Sequence, residues 1–149
     1  MKTGISRQGL EPQWIARESA KSNLLLRARL LQAQGETENA LALYLQAAEI
    51  EEELADYCST IGLHEKSHIH RFGAASCWAK VGELQRALRI CEVLLLESAL
   101  SEPIRKAVED FAGTLRERRR RWLVFWQDVQ NAQDQQLGDA IPPTLAVRN

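Results

Sequence analysis

The apolar residues of this 149-residue chain fall at helical spacing almost throughout. Leu24, Ala28 and Leu31, flanked by Leu25 and Leu30, recur three and four apart. That spacing predicts an amphipathic helix over 17–34, closed by Gly35, a residue type that tolerates left-handed backbone geometry. A second helix is predicted over 36–58. Ala40, Leu43, Tyr44, Ala47, Leu54 and Cys58 line one side of it, and Glu49, Glu51, Glu52, Glu53 and Asp56 form an acidic, solvated face. After a short turn at 60–62, a third helix over 63–81 carries Phe72, Ala75, Trp78 and Ala79 and ends at Gly82. A fourth over 83–98 carries Leu84, Ala87, Leu88, Cys91, Leu94 and Leu95. Ser101 is a natural N-cap with Pro103 in the first turn, where a missing N–H costs nothing. A fifth helix is therefore predicted over 102–133, with a core stripe of Ile104, Val108, Phe111, Leu115, Trp122, Trp126 and Val129. No alternating apolar run bounded by turn residues predicts a strand. The expectation is an all-α fold of about five helices. Residues 1–16, with Gly4, Gly9 and Pro12, read as a flexible N-terminal arm. Residues 17–136 read as the helical domain, and 137–149, with Gly138, Pro142 and Pro143, as a disordered tail.

Two stretches repeat each other. Gly35 and Gly82 are each followed by Glu (Glu36, Glu83) and, five positions after the Gly, by Ala (Ala40, Ala87). Ala28 and Leu31 before the first Gly match Ala75 and Trp78 before the second. Small residues at these places let helix axes approach, since interaxial separation depends on the side chains at the contact. Together these residues resemble the tetratricopeptide (TPR) repeat over 24–95. The resemblance implies antiparallel α-hairpins stacked as a short, TPR-like right-handed superhelix, with the fifth helix as a C-terminal cap. It also implies a groove, lined by the first helix of each hairpin, that holds a protein or peptide partner through Asn23, Arg27 and Arg71. The spacing from Gly35 to Gly82 exceeds the family period of about 34 residues, so the second helix is expected to be longer than the family's.

Composition narrows the classes. Hydrophobic content of 45% with 26% charged residues is that of a globular chain. The net charge of −1 exerts no overall pull on nucleic acid. Cys58, Cys77 and Cys91 show no CxxC spacing and are odd in number, which reads as buried free thiols in a reducing compartment. The polar N-terminus carries no apolar leader and the apolar runs are too short to span a bilayer. A cytoplasmic protein without a membrane partner is expected.

Candidate chemistry is sparse. His64, Glu65 and His68 form an HExxH pattern, which on a helix sets two imidazoles on one face to grip Zn²⁺, with Glu65 as general base. A zinc-binding protein or metallohydrolase is therefore the alternative function, with His70 pointing away from that face. The preferred reading of the motif is a solvated helix start, with Glu65 favoured by the helix dipole. Arg116, Arg118, Arg119, Arg120 and Arg121 form a basic run ahead of Trp122, Phe125 and Trp126. Such a mixture can contact nucleic acid. The favoured reading is a helix whose arginine stems cover apolar surface and pair with the acidic second helix or a second subunit. No glycine-rich phosphate loop occurs, so no cofactor is predicted. The leading expectation is a non-enzymatic protein–protein interaction module.

Residues 122–126 are five large apolar side chains in a row, spanning more than one helical turn. With Trp122 and Trp126 assigned to the core, Leu123 and Val124 are expected to face outward and to join two copies through the fifth helix. The alternative is that Trp14 and Ile15 fold back over them and leave a monomer.

Overall fold

The computed structural model describes residues 10–140. Five helices account for most of them: α1 Pro12–Ala33, α2 Thr37–Thr60, α3 His64–Lys80, α4 Leu84–Leu95 and α5 Glu102–Ala140. No strand occurs among the described residues, and the fold is all-α. α1 starts at Pro12, ahead of the expected residue 17, because proline at the first helical position is pre-set for the turn. Its first turn is held on α2: Trp14 stacks on Tyr57 with ring centroids 4.3 Å apart, and the Glu11 amide donates to the Tyr57 hydroxyl at 3.3 Å. α4 stops at Leu95, short of residue 98. Arg105 then donates to the carbonyls of Leu95 (2.9 Å) and Glu97 (2.7 Å), satisfying groups that a helix end leaves unpaired. α5 continues to Ala140, beyond the expected 133. Residues 1–9 of the expected arm and 141–149 of the expected tail lie outside the described residues.

One turn is used three times. Gly35, Gly62 and Gly82 have φ of 81°, 83° and 89°, the left-handed region glycine adopts without a Cβ clash. In each, the Gly amide donates to the carbonyl three residues back and the next amide donates five back: Glu36 to Leu31, Leu63 to Cys58, Glu83 to Trp78, all at 2.8–2.9 Å. This is the Schellman closure of a helix C-terminus. Seven residues before each Gly stands a buried Ala (Ala28, Ala55, Ala75), and five after it a buried small residue (Ala40, Ser67, Ala87). At the middle turn the Ser67 hydroxyl donates to the Ala55 carbonyl at 2.7 Å, which shows how closely α2 and α3 approach. Each short turn reverses the chain, so α1 packs on α2, α2 on α3 and α3 on α4.

The chain divides into two compact units, one up to Leu115 and one from Arg116 onward. In the first, the largest fully buried side chains are Leu54, Leu88, Leu94, Leu115 and Val108. The start of α5 belongs to this core. Val108, Ala112 and Leu115 are completely buried with Trp78, Ala87 and Leu88, and Phe111 meets Phe72 edge-on at 5.5 Å. In the second unit no described side chain is buried. The expected core stripe of α5 therefore ends at Leu115. Trp122 and Trp126 are 53% and 48% exposed, which corrects their assignment to the core.

Candidate functional site

The acidic side of α2 is solvated at Glu49, Glu53 and Asp56, as expected, but Glu51 is buried and Glu52 is half-buried. Glu51 is bonded to His70 Nδ1 on α3 at 2.7 Å and to Lys21 Nζ on α1 at 3.5 Å. Its carboxylate lies against Gly73, where any Cβ would collide with it. Glu52 accepts from the Trp78 indole (2.7 Å) and from Arg86 (2.9 Å), and the Arg86 guanidinium stacks 3.8 Å over the Trp78 ring. Glu53 holds Arg17, and Asp56 holds Arg71. Lys66 on α3 reaches Glu18 on α1 at 3.3 Å. These pairs link neighbouring helices; those of Glu51 are buried and costly to break, whereas the exposed Arg17–Glu53 and Arg71–Asp56 pairs contribute little. The sequence reading missed this role because helical spacing does not say which neighbour an acidic face meets.

His64 and His68 line one cleft of about 410 Å³ with Ser59, Ser67, Arg71 and Glu97. His64 and Glu65 are exposed, whereas His68 is buried, so the motif is not wholly a solvated helix start. His70 is engaged by Glu51 instead. Among the described residues, no three His, Cys, Asp or Glu side chains group as metal ligands.

The thiols are poorly suited to nucleophilic work. Cys58, Cys77 and Cys91 are free and buried. Burial, aided by the nearby Glu51 charge, pushes the Cys77 thiol up to about 11, and burial raises Cys58 as well. A protonated thiol is neither nucleophile nor metal ligand.

The expected groove residues have two settings. Asn23 and Arg27 are exposed on α1, beside the exposed Leu26 and Leu30. Arg71 is half-buried, tied to Asp56 at 3.0 Å and directed into the histidine cleft.

The unpaired feature is apolar. Residues 122–126 are each 47–60% exposed. Their rings cluster on one another: Trp122 with Phe125 at 5.9 Å, and Trp126 edge-on to Trp122 at 5.5 Å. Trp14, the residue expected to fold back over them in a monomer, stacks on Tyr57 within the first unit. Within the preceding basic run Glu117 binds Arg120 at 2.7 Å, and that hydrogen bond holds the Glu117 carboxyl below the usual range. No described helix is long and apolar enough to cross a membrane.

No family model, curated protein or solved structure matches this chain.

Proposed function

We propose that the chain is a non-enzymatic, TPR-like helical module that binds another protein, with the apolar block 122–126 as its principal contact. The observation that carries this reading is the block itself: five consecutive large apolar side chains, each about half exposed. Apolar surface of this kind gains free energy when a partner removes it from water. The ionisable side chains that face the helix junctions support the same reading, because Glu51, His70, Lys21 and Glu52 tie one helix to the next. The three equal turns favour a TPR-like stack, in which Asn23, Arg27 and Arg71 contribute secondary polar contacts. Three free buried thiols suit a reducing, cytoplasmic setting.

The test is affinity capture from the native host with the wild-type chain and with Phe125→Ser. Specific proteins retained by the wild type and lost from the variant support the reading. Identical recoveries from both contradict it. A zinc-binding function at His64 and His68 is the second reading, favoured by the two imidazoles lining one cleft. Stoichiometric zinc in protein purified without chelator, lost on His68→Ala, would establish it.

A further inference from the structure

We propose that the partner of residues 116–140 is the same segment of a second copy, docked antiparallel; this rests on reading the apolar block as a protein-binding surface. The observation is a partition of charge along one helix. Residues 116–121 hold five arginines and one glutamate. From Trp122 to Ala140 there is no lysine or arginine, while Asp128 and Asp134 are acidic. The apolar block separates the two ends. Glu117 engages Arg120 and Arg121 within its own helix, and five arginines against one glutamate give the run a formal charge of +4. In a parallel pair, five arginines would face five arginines, and like charges at close quarters oppose association. In an antiparallel pair each arginine run lies instead beside a stretch of the other copy that has no positive charge, and the block meets itself across a two-fold axis.

Helical periodicity gives the register. Trp122, Phe125, Trp126 and Val129 share one stripe, while Val124 lies on the opposite side of the helix. A two-fold axis between Phe125 and Trp126 sets Trp122 against Val129 and Arg118 against Gln133 of the other copy. It also sets residues 116–121 beside 130–135 of the other copy, a stretch without lysine or arginine. An anionic membrane surface suits the arginines but repels the acidic end of the same helix, which favours a second copy as the occupant.

The experiment combines sedimentation equilibrium at tens of micromolar with cross-linking. The wild type is expected to give a dimer mass. Phe125→Ser should weaken the dimer tenfold or more, on the order seen for a central aromatic anchor, and Val124→Ser should leave it within about twofold. For orientation, Arg118→Cys chains are mixed with Gln133→Cys chains and treated with a short bis-maleimide. The inference predicts the mixed product and little product from either variant alone. A dimer that cross-links Arg118→Cys to itself is parallel and overturns the proposal. A monomer mass also overturns it, and co-sedimentation of that monomer with phosphatidylglycerol vesicles would assign the block to a lipid surface. A monomer that still captures a host protein through Phe125 removes this inference alone, whereas loss of capture as well removes the binding reading on which it rests.

Discussion

α5 is one continuous helix with two kinds of surface. Up to Leu115 it hides Val108, Ala112 and Leu115 completely, and Phe111 meets a ring from α3. From Arg116 onward no described side chain is buried, although residues 122–126 are five large apolar side chains in a row. Hydrophobicity alone therefore does not decide burial. The first stretch has α3 and α4 for neighbours, whose small residues (Ala74, Ala75, Ala87) make room for it. The rings of the second pack on one another, and a row of five covers every side of a helix, more than one neighbour can receive. In the first stretch burial stabilises the fold, and in the second exposure leaves free energy available to association.

The sharpest way to break this contrast is to truncate a large side chain in each region. Leu88→Ala opens a cavity in the core and should lower unfolding free energy by about 3 kcal/mol in urea. Phe125→Ala, measured dilute enough to be monomeric, should change it by less than ~0.5 kcal/mol. Comparable losses at both positions would mean that the block belongs to a core.

The next effect concerns the buried carboxylate of the first region. Gly73→Ala gains about 1 kcal/mol of helix propensity, yet it places a methyl group against Glu51, which is anchored by His70 and Lys21. The net change should be destabilising by roughly 1–2 kcal/mol, because buried ion pairs tolerate displacement badly. In a Glu51→Ala background the same substitution should turn stabilising. A thermal-melt comparison of the four proteins reads this sign reversal, and its absence would remove the anchoring role of Glu51.

Gly62→Ala comes third. Its φ of 83° leaves a Cβ strained, at about 1–2 kcal/mol. Since the three turns share their backbone, Gly35→Ala and Gly82→Ala should cost the same within about 0.5 kcal/mol. A much smaller loss at one of them, in the same melts, would mark that turn as different.

The smallest effect at neutral pH is that of the thiols. Cys77 is raised from 9.0 to about 11 in the folded chain. The folded state keeps this proton while the unfolded state loses it, so the contribution is complete below pH 9 and disappears as pH climbs toward 11. Stability should be flat in this respect at pH 7–8 and decline above 9, and Cys77→Ala should lessen the decline. Ellman's reagent should find all three thiols slow in the native state and fast in urea.

Much of the fold was legible because its punctuation is local. Gly35 and Gly82, each with Ala seven positions before and five after, mark two turns, and the apolar spacing sets α2 and α3 to within two residues at each end. The middle turn was read only as a turn. Gly62 is followed by Leu63 instead of glutamate, and Ser67 replaces alanine, yet Ala55 and Ser67 stand at the same offsets and carry the same contact. The site was less legible, because it depends on which element lies opposite. Spacing could not reveal that Glu51 faces inward toward Lys21 and His70. Nor could it show that burial along the stripe from Ile104 ends at Leu115, before Trp122.

Hydrogen–deuterium exchange followed as a function of protein concentration tests the central claim most directly. Amides of α4 should exchange at the same rate from dilute solution to tens of micromolar. Those of residues 122–129 should slow as concentration rises, and Phe125→Ser should abolish the slowing. Exchange at 122–129 that is independent of concentration, and unaffected by Phe125→Ser, would contradict the account.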